Sequence, residues 1–159
     1  MKIRTDFVTN SSSSSFILGF TSADTINSEL KEGYPSYAMA TIGTVMQDVD
    51  AATQFDKDEV IHRIRENLKY RARWSVEEIY RRRTRCSYNE ASDYVRTPEG
   101  EKEVQEYVER IIKETLEKME GKSIFVEVSY SDNNGEYFSE LEHRIMPRLA
   151  ATMITFDHH

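Results

Sequence analysis

The stretch TPEGEKEVQEYVERIIKETLEKMEGKSIFVEVSY, residues 97–130, decides the fold, because its apolar period changes once along its length. In the first part Val104, Tyr107, Val108, Ile111, Thr115 and Met119 recur at spacings of three and four, as on a helix with one buried face. Thr97 starts that helix. Pro98 takes the first helical position, where a missing N–H costs nothing, and the glutamates that follow suit the positive end of the helix dipole. Gly121 supplies a left-handed stop. Beyond it the period drops to two: Ile124, Val126, Val128 and Tyr130 share one side of a strand, with Phe125, Glu127 and Ser129 on the other.

Working outward, Asp56 followed by Glu59 has the form of a capping box. Ile61, Ile64, Leu68 and Ala72 then mark an amphipathic helix over residues 57–72. Ser75 with Glu78 reads as a second helix start, with Val76, Ile79 and Tyr80 as its apolar stripe and an end or bend near Tyr88. Phe16, Ile17, Leu18 and Phe20 form a short strand-like run, and residues 152–156 form another. Asp132, Asn133, Asn134 and Gly135 make a turn, after which Phe138, Leu141, Ile145 and Leu149 fall at helical spacing until Pro147 disturbs the last turn. Residues 37–49 suit either a helix of small apolar residues or strands. The expected class is α+β: a small sheet built from N- and C-terminal strands, with a helical middle section covering one face. Residues 1–159 are expected as a single domain in which Ser11 to Ser15 form a loop or flexible segment.

Composition agrees with a globular chain. One Trp, nine Tyr and seven Phe among 159 residues are enough bulky apolar surface to fold without metal or disulfide help. The single cysteine, Cys86, excludes an internal disulfide, and no run approaches the length of a membrane span. Asp6 and the serine run stand where a secretory leader needs an unbroken apolar segment, so the expected location is the cytoplasm, without membrane association.

The net charge of -7 is unevenly spread. Residues 63–85 carry nine basic groups against three acidic ones, a local +6 that leaves -13 on the rest of the chain. Between Glu99 and Glu120 eight glutamates outnumber four basic residues, a local -4. Arg81, Arg82, Arg83 and Arg85, interleaved with Tyr70, Trp74, Tyr80 and Tyr88, are the residue types that bind a nucleic-acid strand, guanidinium on phosphate and ring on base. The acidic remainder repels a polyanion, so the preferred reading sets the basic helix beside the acidic helix of residues 98–120, in the same chain or in a second copy. Such pairs orient helices more than they hold them.

The amino-terminal run Asp6-Phe7-Val8-Thr9-Asn10, five serines, then Phe16-Ile17 resembles the N-terminal signature DFVTNSSSSSF of an uncharacterised bacterial family from Gram-positive, clostridia-like organisms. The ending, Leu141-Glu142-His143 with a terminal strand and His158-His159, looks like the same group. No established activity attaches to that family, so the resemblance implies membership and no catalytic role.

Ser11, Ser12, Ser13, Ser14 and Ser15 could bind an anion with their hydroxyls, but they lack the glycines and the lysine of a phosphate loop, and a self-capping or passive segment is preferred. His143, His158 and His159 lie near Asp132, Glu140, Glu142 and Asp157; of these, His143, Asp157 and His159 form the candidate metal set, the metal ion being the one cofactor considered. Adjacent His158 and His159 point to opposite faces of a strand, which leaves one of them for such a site. Asp132 to Gly135 lacks the ligand spacing of a calcium loop, and Cys86 reads as a small apolar filler. The function expected is binding without intrinsic catalysis, by a homo-oligomer joined through oppositely charged helices. A metal-dependent hydrolase built on the C-terminal His/Asp set and a nucleic-acid-binding protein are the alternatives.

Overall fold

A computed structural model describes the backbone of residues 13–158 and the side chains of residues 13–156. The chain divides into two compact units, one of Met1–Gln54 with Ser123–His159 and one of Phe55–Lys122. Among the described residues no helix is long and apolar enough to cross a membrane.

The first unit is built on a three-stranded antiparallel sheet: β1 (Ser13–Phe20) at the centre, β2 (Ile124–Ser131) on one side and β3 (Thr152–His158) on the other. The α+β class, with a sheet drawn from both ends of the chain, is what the structure has. Register places Phe16 opposite Val128, Leu18 opposite Val126 and Ser14 opposite Tyr130. Alternation then collects Phe16, Leu18, Phe20, Val126, Val128 and Tyr130 on one apolar face. That face is packed by Leu30 of α1 (Ile26–Lys31), by Ile42, Val45 and Val49 of α2 (Met39–Ala51), and by Leu141, Ile145, Met146 and Leu149. Residues 37–49, for which the sequence left two options, are therefore largely helical.

The serine run requires a correction. Ser13, Ser14 and Ser15 are the first three residues of β1, and no loop; Ser11 and Ser12 lie outside the described residues. The physical reason is pairing on both sides: Ser14 faces Tyr130 and Asp157, and Ser15 faces Ser129 and Phe156. The hydroxyls find tertiary partners, Ser15 Oγ lying 2.7 Å from Ser129 Oγ.

The second unit is helical: α3 (Lys57–Thr84), α4 (Tyr88–Tyr94) and α5 (Pro98–Lys118), with α3 packed along α5 and against α4. The expected restart at Ser75 does not occur. Val60, Ile64, Leu68, Ala72 and Val76 continue a buried stripe at spacing four straight through that position, and one 28-residue helix results. It starts at Asp56, whose side chain accepts the Glu59 N–H, and stops at Arg85 in the left-handed conformation, φ 58°. Ser87 and Glu90 form the capping box of α4, and Thr97 caps α5 by accepting from Gly100 N–H at 3.1 Å. Gly100 is required by close approach: a Cβ there would lie 2.1 Å from the Tyr94 carbonyl oxygen. Gly121 ends the hairpin at φ 76°, as its position in the sequence indicates.

In the last segment α6 (Glu136–Glu140) passes into a π turn, Leu141–Ile145, and a 3₁₀ turn, Met146–Arg148, before β3. Pro147 sits where the helix tightens.

Candidate functional site

The sequence singled out His143, Asp157 and His159 as a metal set. The structure places His143 in a cluster with Asp132 and Glu142, whose ligand atoms all lie within 4.8 Å of one another. Asp157 stands opposite Ser14 in the β1–β3 ladder, its side chain outside the described residues, and His159 lies outside them altogether. The cluster has three structural sources. Asp132 opens the 3₁₀ turn after β2, and Glu142 and His143 are consecutive in the π turn. The wider π turn lets consecutive side chains diverge less than on an α-helix, so neighbours in sequence can serve one point.

Glu142 is 2% exposed. Its Oε1 accepts a 3.0 Å hydrogen bond from Ser14 Oγ, at the polar end of the apolar sheet face, and its Oε2 lies 3.7 Å from His143 Nε2. The His143 side chain is half exposed. The sequence carried a signal for this that composition hides: Glu142 is four residues from both Phe138 and Met146 and three from Ile145, so it sits on the stripe that packs into the core.

The arginines meet carboxylates within the chain. Arg65 reaches Glu109 at 2.9 Å, Arg73 reaches Glu101 at 3.5 Å and Arg83 reaches Glu103 at 3.2 Å, all joining α3 to α5. Arg81 and Arg82 both close on Glu78 at 2.8 Å within α3, and hold its carboxyl below the usual glutamate range, Arg82 contributing most. Arg85 caps the helix and is exposed, with no ion pair among the described residues. Glu103 is the joint of the three helices. It accepts from Tyr94 Oη at 2.8 Å as well as from Arg83, and these hydrogen bonds, the tyrosine's first, keep its carboxyl low against the opposing effect of burial. Tyr94 in turn stacks on Tyr80 with ring centroids 3.8 Å apart, so an expected base-stacking tyrosine is engaged within the unit.

No protein-family model, curated protein or solved structure matches this chain. Any functional assignment therefore has to come from its own surfaces.

With most of the arginines of α3 paired, its most exposed large apolar side chains are aromatic. Tyr70 is 80% and Trp74 61% exposed, one turn apart on the face away from the buried stripe. Neither ring stacks on another among the described residues. Around them on the same helix lie Glu66, Arg71, Glu77 and Arg82.

Proposed function

We propose that this chain is a non-catalytic interaction protein that binds a second copy of itself through the outer face of α3. The observation that carries the reading is the exposure of Tyr70 and Trp74 side by side on a helix whose buried stripe lies on the opposite side. Large rigid aromatics placed this way are the residues that dominate interfaces, since each can bury roughly 150–250 Å² at low entropic cost.

Charge favours a second copy as the occupant. When two α3 helices cross antiparallel with Trp74 at the two-fold axis, positions equally spaced on either side of it face each other. Glu66 then faces Arg82 of the second copy, and Arg71 faces Glu77 of the second copy. Glu66, Arg71 and Glu77 have no ion pair among the described residues, and the arrangement gives each of them an opposite charge. Two aromatics per copy suit a weak, reversible dimer, with a Kd on the order of 10 μM or above, and not an obligate one.

Sedimentation equilibrium over a range of protein concentrations tests this. The wild type is expected to shift from monomer to dimer, more weakly in high salt, and Trp74→Ala to stay monomeric at concentrations where the wild type is half associated. A monomer at every concentration and salt, or a dimer indifferent to Trp74→Ala, overturns the reading.

A further inference from the structure

A carboxylate on the core face of a packed helix is costly unless a cation or full hydrogen bonding compensates it. Glu142 is only half compensated: Oε1 accepts from Ser14, while Oε2 is shielded from solvent and receives no hydrogen bond among the described residues. That oxygen lies 3.7 Å from His143 Nε2, too long for a hydrogen bond, and one ligand atom each from Asp132, Glu142 and His143 fall within 4.8 Å of one another. Ligands sharing one ion at about 2.0–2.2 Å stand roughly 3–4 Å apart. The three side chains are thus close to the spacing an ion would impose, and the exposed imidazole has room to close the remainder.

We propose that Asp132, Glu142 and His143 bind one divalent transition-metal ion. The donor set of two carboxylates and an imidazole suits zinc or manganese better than calcium or magnesium, which prefer six or more oxygens. Ser14 is a positioning residue: its hydroxyl fixes Oε1 and thereby aims Oε2. The half-exposed His143 side chain marks the entry side, where solvent completes the coordination. The site belongs to the sheet unit and does not rest on association through α3.

The test is calorimetric titration of the full chain, without an affinity tag and stripped with a chelator, using zinc chloride, with magnesium chloride as the comparison. One equivalent of zinc per chain is expected, with a rise in melting temperature and no comparable response to magnesium. His143→Ala and the near-isosteric Glu142→Gln should each weaken binding at least tenfold, and Ser14→Ala about tenfold through loss of orientation. His143 is exposed, so its variant keeps the test decisive even where circular dichroism shows Glu142→Gln to be misfolded. Absence of zinc binding, or zinc binding that survives His143→Ala and is lost when His158 and His159 are changed, overturns the assignment.

Discussion

Replacing Gly100 by alanine sets two effects of opposite sign against each other. Gly100 lies in the first turn of α5 with no positive φ, so on helix propensity alone alanine would stabilise by up to about 1 kcal/mol. The added Cβ, however, would stand 2.1 Å from the Tyr94 carbonyl oxygen and 2.6 Å from Val95 Cα, where ordinary contact begins near 3.4 Å. The obstacles are backbone atoms, which no rotamer change can clear, and the Tyr94 oxygen must retreat by about 1 Å or more. That retreat disturbs the Thr97 cap and the Tyr94–Glu103 hydrogen bond together. Overpacking of this kind costs about 1–3 kcal/mol, with a rigid neighbour at the upper end. The net expectation is about 2 kcal/mol of destabilisation, or roughly 4–8 °C in Tm for a chain of this size. Gly43→Ala is the matched control: it lies within α2, nothing would approach its Cβ within 4 Å, and it should gain about 0.5–1 kcal/mol. Thermal unfolding followed by far-ultraviolet circular dichroism separates the two. A Gly100→Ala protein as stable as wild type would refute the close contact between the end of α4 and the start of α5.

Further expectations concern the same two units. Glu103 has its folded pKa held below the ordinary glutamate value, so its stabilising contribution is complete above about pH 4.5 and is lost as the pH falls from there through the depressed value. Glu103→Gln should consequently show less acid destabilisation than wild type in urea titrations at descending pH; an identical pH profile would count against the joint. Leu18→Ala, at a fully buried position of the central strand, should cost about 2–5 kcal/mol in urea unfolding, and a loss below 1 kcal/mol would place Leu18 outside the core. Arg85→Gly relieves a left-handed conformation at an exposed helix end and should raise stability by about 0.5–1 kcal/mol, whereas a decrease would show that φ at this position is not positive in solution. Glu109→Gln, which removes an exposed partner of Arg65, should change stability by less than about 1 kcal/mol.

What could be read in advance follows from how local each determinant is. α5 was legible from Thr97 to Gly121 because its cap, its proline, its stripe and its stop all lie within the element. Strand β2 was legible for the same reason, its alternation being set by a single buried face. The break at Ser75 was misread because a cap-like pair carries no weight where the buried stripe continues through it. The serines were misread because membership of a central strand depends on two partners more than a hundred residues away. Opposing charges on α3 and α5 could be seen in the sequence, and their meeting within one chain follows from a hairpin that also buries an apolar stripe. The Asp132–Glu142–His143 cluster was only half legible: its histidine stood out, but convergence with Asp132 depends on a π turn that no residue pattern announces.

Trp74 is the only tryptophan in the chain and stands at the centre of the proposed contact, so its own emission reports on it. The decisive measurement is acrylamide quenching of that fluorescence across a dilution series spanning the association midpoint. Association through α3 predicts that quenching weakens and emission shifts to the blue as the concentration rises, with Tyr70→Ala moving the midpoint to higher concentration. Strong quenching unchanged by concentration, in a protein that sedimentation finds to dimerise, would place the contact elsewhere and contradict the account.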